Sequence, residues 1–155
     1  MVRCPDDFIG RWFSVLHRSS IGFMTNELKR YGIGSGQIMF LLELYHCDGI
    51  NQEELSSFLN IDKANTARAL GKLEQEGYLV KKADREDKRA YKIYLTEKAL
   101  EIKPKIMGVM ADWENHLLKE LSPEERSFLR KTMKKVGHNC AGNSRCRFCS
   151  SPCGE

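Results

Sequence analysis

At 155 residues, with 41% hydrophobic and 30% charged residues and a net charge of +4, the chain is long enough for one hydrophobic core and too short for two ordinary domains. That composition excludes an intrinsically disordered chain, and no apolar run approaches the ~20 residues needed to cross a bilayer, so a membrane partner is not expected. The positive charge permits nucleic-acid binding without establishing it, because many proteins carry as much on solvated faces.

Asp6 and Asp7 follow Met1 closely, with no basic segment leading into an apolar one. No secretory signal is therefore expected, and the cytoplasm is the expected compartment. From Asp6 to about Tyr31, Phe8, Ile9, Trp12, Phe13, Leu16, Phe23, Met24, Leu28 and Tyr31 recur at the spacing of an amphipathic helix. Such a helix either covers the core or serves dimerisation. Gly32, Gly34 and Gly36 break the pattern, and a second helix is predicted from about Gln37 to His46, burying Ile38, Leu41, Leu42 and Tyr45.

Asp48-Gly49 reads as a turn. Asn51, three residues before Glu54, has the form of a capping box opening a helix with Leu55, Phe58 and Leu59 inside. After a tight connection, Asp62 is placed to cap the next helix, from about Lys63 to Gln75, which is predicted to bury Ala67, Leu70 and Leu73 and to end at Gly77. Facing away would be Asn65, Thr66, Arg68, Ala69 and Lys72. These are small, polar or basic, as a surface entering a DNA groove must be, although a solvated face carries similar residues.

The following segment strengthens the DNA reading. Tyr78, Leu79 and Val80 open a strand, and Tyr91, Ile93 and Leu95 alternate with Ala90, Lys92 and Tyr94 as a half-buried strand does. Between them the loop is almost entirely charged, with Lys81, Lys82, Arg85, Lys88, Arg89 and Lys92 supplying the basic residues. From Lys63 to Lys98 there are ten Lys or Arg against six Asp or Glu. Asp87, two residues before Arg89, can orient its guanidinium through a charge-assisted hydrogen bond, and an arginine so aimed suits a narrow minor groove. The alternative is a solvated hairpin tip with a weak surface ion pair.

Thr96 caps a long helix carrying Ala99, Ile102, Ile106, Val109, Met110, Trp113, Leu117 and Leu121, which Pro104 should kink or begin. Ser122, Pro123 and Glu125 then open a last helix, with Phe128, Leu129, Met133 and Val136, ending near Gly137. The terminal helices have more apolar surface than a small module covers. A dimer joined through both chain ends is the economical arrangement.

The predicted fold is thus mainly α with a small β-hairpin wing, a winged helix-turn-helix with long terminal dimerisation helices. Residues 34–96 form the DNA-binding module, 1–33 and 97–137 the dimerisation helices of a single 1–137 unit, and 138–155 a cysteine-rich tail. The joint spacing of Asp48 to Leu55, Ile61-Asp62-Lys63, Arg68-Ala69-Leu70, Leu73-Glu74, Gly77-Tyr78, Asp84 to Arg89 and Leu95 to Lys98 resembles the MarR family of bacterial and archaeal transcription regulators. The resemblance implies a homodimer with interlocked terminal helices whose two modules read a near-palindromic operator. It also implies control by small, often phenolic, molecules or by thiol oxidation.

Carried over by position, Lys63, Asn65, Thr66 and Arg68 enter the major groove, with Lys72 beside them. Arg85, Asp87 and Arg89 form the wing tip, Arg89 reaching the minor groove. Ala64 and Asn65 stand where family members often have Ser or Thr, so the operator sequence does not transfer; a bidentate contact from Asn65 to adenine is one option. Gly34 stands where a Thr cap is common, which loosens the expected start of the second helix.

Cys140, Cys146, Cys149 and Cys153, four of the six cysteines, lie within the last sixteen residues. In a chain without a secretory signal, that crowding favours metal or redox chemistry over a disulfide framework. Four thiolates complete a tetrahedral shell, and zinc is the first expectation. An Fe–S cluster fits less well, because the first interval is too long for the ferredoxin run and Pro152 precedes the last cysteine. Redox switching by disulfide formation, and a reduced disordered tail, are the alternatives. Arg145 and Arg147 would lower neighbouring thiol pKa values, Cys4 joins only if the chain ends meet, and Cys47 reads as structural.

Two functions follow. One is a sequence-specific transcriptional regulator, a repressor released by a small ligand, a metal or a thiol-redox signal. The other is a thiol or Fe–S electron-transfer protein using the winged helix as scaffold. No Ser/His/Asp set, phosphate loop or paired-carboxylate site is present and the four histidines are scattered, so enzymatic activity is not expected.

Overall fold

The structure is a computed structural model that describes residues 5–84 and 91–141. A single-turn 3-10 helix, Pro5–Asp7, leads into α1 (Ile9–Leu28), and a second, Lys29–Tyr31, follows it. Gly32, at φ 69°, takes the left-handed conformation that turns the chain. Only the last part of α1 enters the core, through Met24 and Leu28; Phe8, Ile9, Trp12 and Leu16 are exposed.

Helix α2 (Ser35–His46) begins two residues before its expected start. Gly34 has no side chain to cap it, but Gln37 Oε1 accepts from the Gly34 backbone N–H at 2.7 Å, supplying half of a capping box. Ile38, Phe40, Leu41 and Leu44 are buried, whereas Leu42 and Tyr45 are only half-buried. The expected set assumed one covered stripe; α2 packs on α1, α3 and α4 together, so its buried arc is wider.

Gly49 at φ 78° makes the turn into β1 (Ile50–Asn51), a two-residue strand too short for alternation to reveal. Asn51 also opens α3 (Gln52–Leu59): its Oδ1 accepts from Glu54 N–H at 2.9 Å, and Glu54 Oε2 accepts from Asn51 N–H at 3.0 Å. A cap of this kind contributes about 1 kcal/mol. Asn60, at φ 51°, ends α3, and the Ser56 hydroxyl donates to Ile61 O at 2.6 Å across the turn. Helix α4 (Lys63–Gln75) follows, with Asp62 Oδ1 accepting from Asn65 N–H at 2.9 Å.

Strands β2 (Leu79–Ala83) and β3 (Tyr91–Leu95) form the antiparallel hairpin, and β1 adds to β3 to give a three-stranded sheet in the order β1-β3-β2. Tyr78 and Ile93 are buried in the core with Leu55, Leu70 and Leu73. The Tyr78 hydroxyl donates to Tyr31 O at 2.6 Å, tying the wing's base to the end of the first helical segment.

Helix α5 (Glu97–Leu117) is capped by Thr96, whose Oγ1 accepts from Ala99 N–H at 3.3 Å. It continues through Pro104, whose missing N–H leaves the Leu100 carbonyl without a helical partner on an exposed part of the helix. Helix α6 (Pro123–Ala141) starts with the expected Ser122–Glu125 box. It runs through Gly137, the expected end, because that glycine is helical and does not adopt the left-handed conformation of a C′ cap. No residue of α6 whose side chain is described is buried. The pair Arg130 Nη2–Glu114 Oε1 at 2.6 Å, between two exposed groups, ties α6 to α5.

Candidate nucleic-acid interface

Burial along α4 recurs at Thr66, Ala69, Leu70 and Leu73. This spacing of three, then one, then three residues is the inward stripe of a helix. It corrects the expected inner face: Ala67 is exposed, and Thr66 and Ala69 face inward. Thr66 is 0% exposed, so it is unavailable to a DNA base. Threonine is polar but small and branched, and its hydroxyl lies 3.5 Å from Ile61 O at the turn before α4. Composition had placed it outside; geometry places it within.

Asn65, Arg68 and Lys72 do lie on the outward face, as expected. They border a shallow, open groove whose other wall includes Gly36 and Gln37 at the start of α2. Lys63 is exposed but engaged: its Nζ is 2.6 Å from Glu53 Oε1 on α3. That hydrogen bond, reinforced by the charge of Lys63, holds the Glu53 carboxyl below its usual range.

A chain of contacts along the same face was not visible as such in the sequence. Asp62 accepts from the Asn65 backbone and, through Oδ2, from the Asn65 side-chain amide, while Asn65 Oδ1 accepts from Arg68 Nη2 at 2.6 Å. The Asn65 backbone N–H, followed by its amide, holds the Asp62 carboxyl below the usual range, so the cap is ionised at neutral pH. The signal was present as Asp, Asn and Arg at successive intervals of three, but a capping residue is ordinarily sought only on the backbone.

In the hairpin, Lys81 Nζ lies 2.6 Å from Glu74 Oε2 on α4, Lys92 Nζ lies 3.2 Å from Asp84 Oδ2, and the Lys82 ammonium sits 5.2 Å from the Tyr94 ring centroid. The first contact fastens the hairpin to the helix beside it, and the other two brace its strands against each other. Register pairs Ala83 with Tyr91 at the far end of the hairpin. Arg85, Asp87 and Arg89 lie outside the described residues.

The same holds for Cys146, Cys149 and Cys153, while Cys140 falls in the last turn of α6. Among the described residues no group of three or more His, Cys, Asp or Glu side chains is placed to hold a metal. Cys47 is buried at the end of α2, as a structural cysteine would be. No described helix is long and apolar enough to cross a membrane.

Comparison with known proteins agrees with this geometry. Residues 33–91 match the model of the MarR family. The HTH-type transcriptional regulator BilQ of Clostridioides difficile is 31% identical over 109 residues, covering 70% of this chain and 74% of that one. A MarR transcriptional regulator from Methanosarcina mazei superposes with a TM-score of 0.83 at 38% identity, over 86% of this chain and 96% of that one. A MarR family regulator from Listeria monocytogenes, solved in complex with a 26mer DNA, superposes at 0.81 with 28% identity, over 88% and 91% of the two chains. A helix-turn-helix ending in a basic outward face, a hairpin wing fastened beside it and these likenesses converge: the chain belongs to the MarR family of winged-helix, DNA-binding transcriptional regulators.

Proposed function

We propose that the protein is a homodimeric repressor that reads a near-palindromic double-stranded operator and is released by a small ligand, a metal or a thiol-redox signal. The observation that carries the DNA contact is the outward face of α4, where Asn65, Arg68 and Lys72 stand exposed beside a hairpin fastened to the same helix. In this reading α4 enters the major groove, and Lys63 exchanges Glu53 for a phosphate on docking. Arg89 reaches the minor groove, oriented by Asp87, with Arg85 on the flanking backbone. Such a regulator works where the chromosome is, in the cytoplasm. Family membership favours this role over electron transfer, since the relatives are transcriptional regulators.

Homodimerisation is supported by α6. Helices in proteins owe most of their stability to a packed apolar face, yet α6 carries Phe128 at 72% exposure with Leu129 and Met133 beside it, and α1 exposes Trp12 and Leu16. A second copy is the proposed cover. Binding to genomic duplex fragments over a series of salt concentrations tests the reading. The logarithm of the association constant should fall linearly with that of salt, as phosphate contacts require; absent binding, or binding indifferent to salt, would sink it.

The signal-sensing part of the proposal rests on Cys140, Cys146, Cys149 and Cys153, for which Zn²⁺ is the metal matching four closely spaced thiolates. Replacing all four by Ser is expected to remove zinc from the purified protein, measured by elemental analysis, and to abolish thiol-dependent release from DNA. Persistence of both would exclude the tail as the sensor.

A further inference from the structure

Asp62, Asn65 and Arg68 are spaced three apart at the start of α4 and line one edge of the helix. The Asn65 amide lies between opposite charges: its Nδ2–H donates to the Asp62 carboxylate, and its Oδ1 accepts from Arg68 Nη2 at 2.6 Å. Only one orientation of the amide serves both neighbours. Flipping it would set oxygen against carboxylate and N–H against guanidinium. Both bonds are charge-assisted, and they strengthen when a docked duplex displaces the surrounding water.

This arrangement bears on which side chain reads the DNA. A bidentate contact to adenine needs the oxygen and the N–H of one carboxamide aimed together at the base edge. In Asn65 they are turned to opposite neighbours along the helix. Arg68 spends one N–H of its guanidinium on Asn65, and the rest of the fork remains for the O6 and N7 acceptors of a guanine.

The geometry points to Asn65 as a positioning residue through which Asp62 aims Arg68 at a guanine in each half-site, so that specificity at that base pair belongs to Arg68. This rests on the reading that α4 enters the major groove.

Selection from a library of randomised duplex DNA, performed with the full-length protein and its variants, tests it. The unsubstituted protein should enrich guanine at one position of each half-site. Arg68→Ala should lower that preference about tenfold or more, and Asn65→Ala about three- to tenfold at the same position and nowhere else. The double substitution should be no worse there than Arg68→Ala alone, as for groups acting as a unit. Exchanging the two side chains, Asp62→Asn with Asn65→Asp, preserves net charge, a capping residue and a carboxylate against Arg68, and should restore the guanine preference.

Relaxed preference at an adenine elsewhere in the site after Asn65→Ala would make Asn65 itself the reader and overturn the assignment. So would an unchanged profile, or an exchange variant that still lacks the guanine preference. If Arg68→Ala and Lys72→Ala both select the same sequences as the unsubstituted protein with equal strength, α4 is not in the groove, and the assignment falls together with the reading beneath it.

Discussion

Substituting Phe128 and Met133 by Glu should give a monomer that holds its operator about a hundredfold or more weakly, because two half-sites then no longer share one binding event. Both side chains are exposed in the single chain, so the substitutions take neither out of its buried core. In a dimer they would bury two carboxylates per chain in an apolar seam, which is strongly unfavourable without partners. Light scattering after size-exclusion chromatography reads the mass directly. A dimer that persists, with unchanged operator binding, would show that α6 does not join the protomers. Ser127→Glu, exposed on the same helix and turned away from Phe128 and Met133, is the control for introduced charge alone.

Arg89→Ala should weaken operator binding by roughly 1–3 kcal/mol, about five- to 150-fold, while leaving the fold intact. The fold should survive because the hairpin is held independently, to α4 by the pair Lys81–Glu74 and within itself by the pair Lys92–Asp84 and the β2–β3 register. The loss should be larger on an A·T-rich flank than on a G·C-rich one, since the narrow minor groove of the former concentrates negative potential. Circular dichroism checks the fold, and fluorescence anisotropy at several salt concentrations measures the binding. Equal affinities for variant and unsubstituted protein at every salt concentration would remove the wing from the mechanism.

Elements whose cause is local could be read from the sequence. Asn51 with Glu54, Asp62, Thr96 and Ser122 with Glu125 each satisfy helix ends through side chains a few residues away, and each forms the expected bond. The helices, the turn and the hairpin followed from such signals. What could not be read depends on which other elements lie against a residue. Thr66 is buried because α4 presents it to the core, a fact its polarity concealed. The wider buried arc of α2 reflects several packing partners, and β1 exists only because Ile50 finds Ile93, far along the chain.

The site divides in the same way. Its basic character and the exposure of Asn65, Arg68 and Lys72 were foreseeable from residue type and helical spacing. The engagement of Lys63 with Glu53 and the linkage of Asp62, Asn65 and Arg68 required side-chain geometry. An exposed polar residue on a recognition helix can orient its neighbour without touching a base.

Two copies of α4 and the wing should read one duplex together. Selection of genomic DNA by the purified full-length protein, followed by sequencing, tests it most directly. Enriched fragments should share an inverted repeat whose half-site centres lie about one helical turn, ~10 base pairs, or a multiple of it apart. Enrichment of a single unpaired half-site, or of no sequence above background, would mean that the two modules do not read DNA jointly.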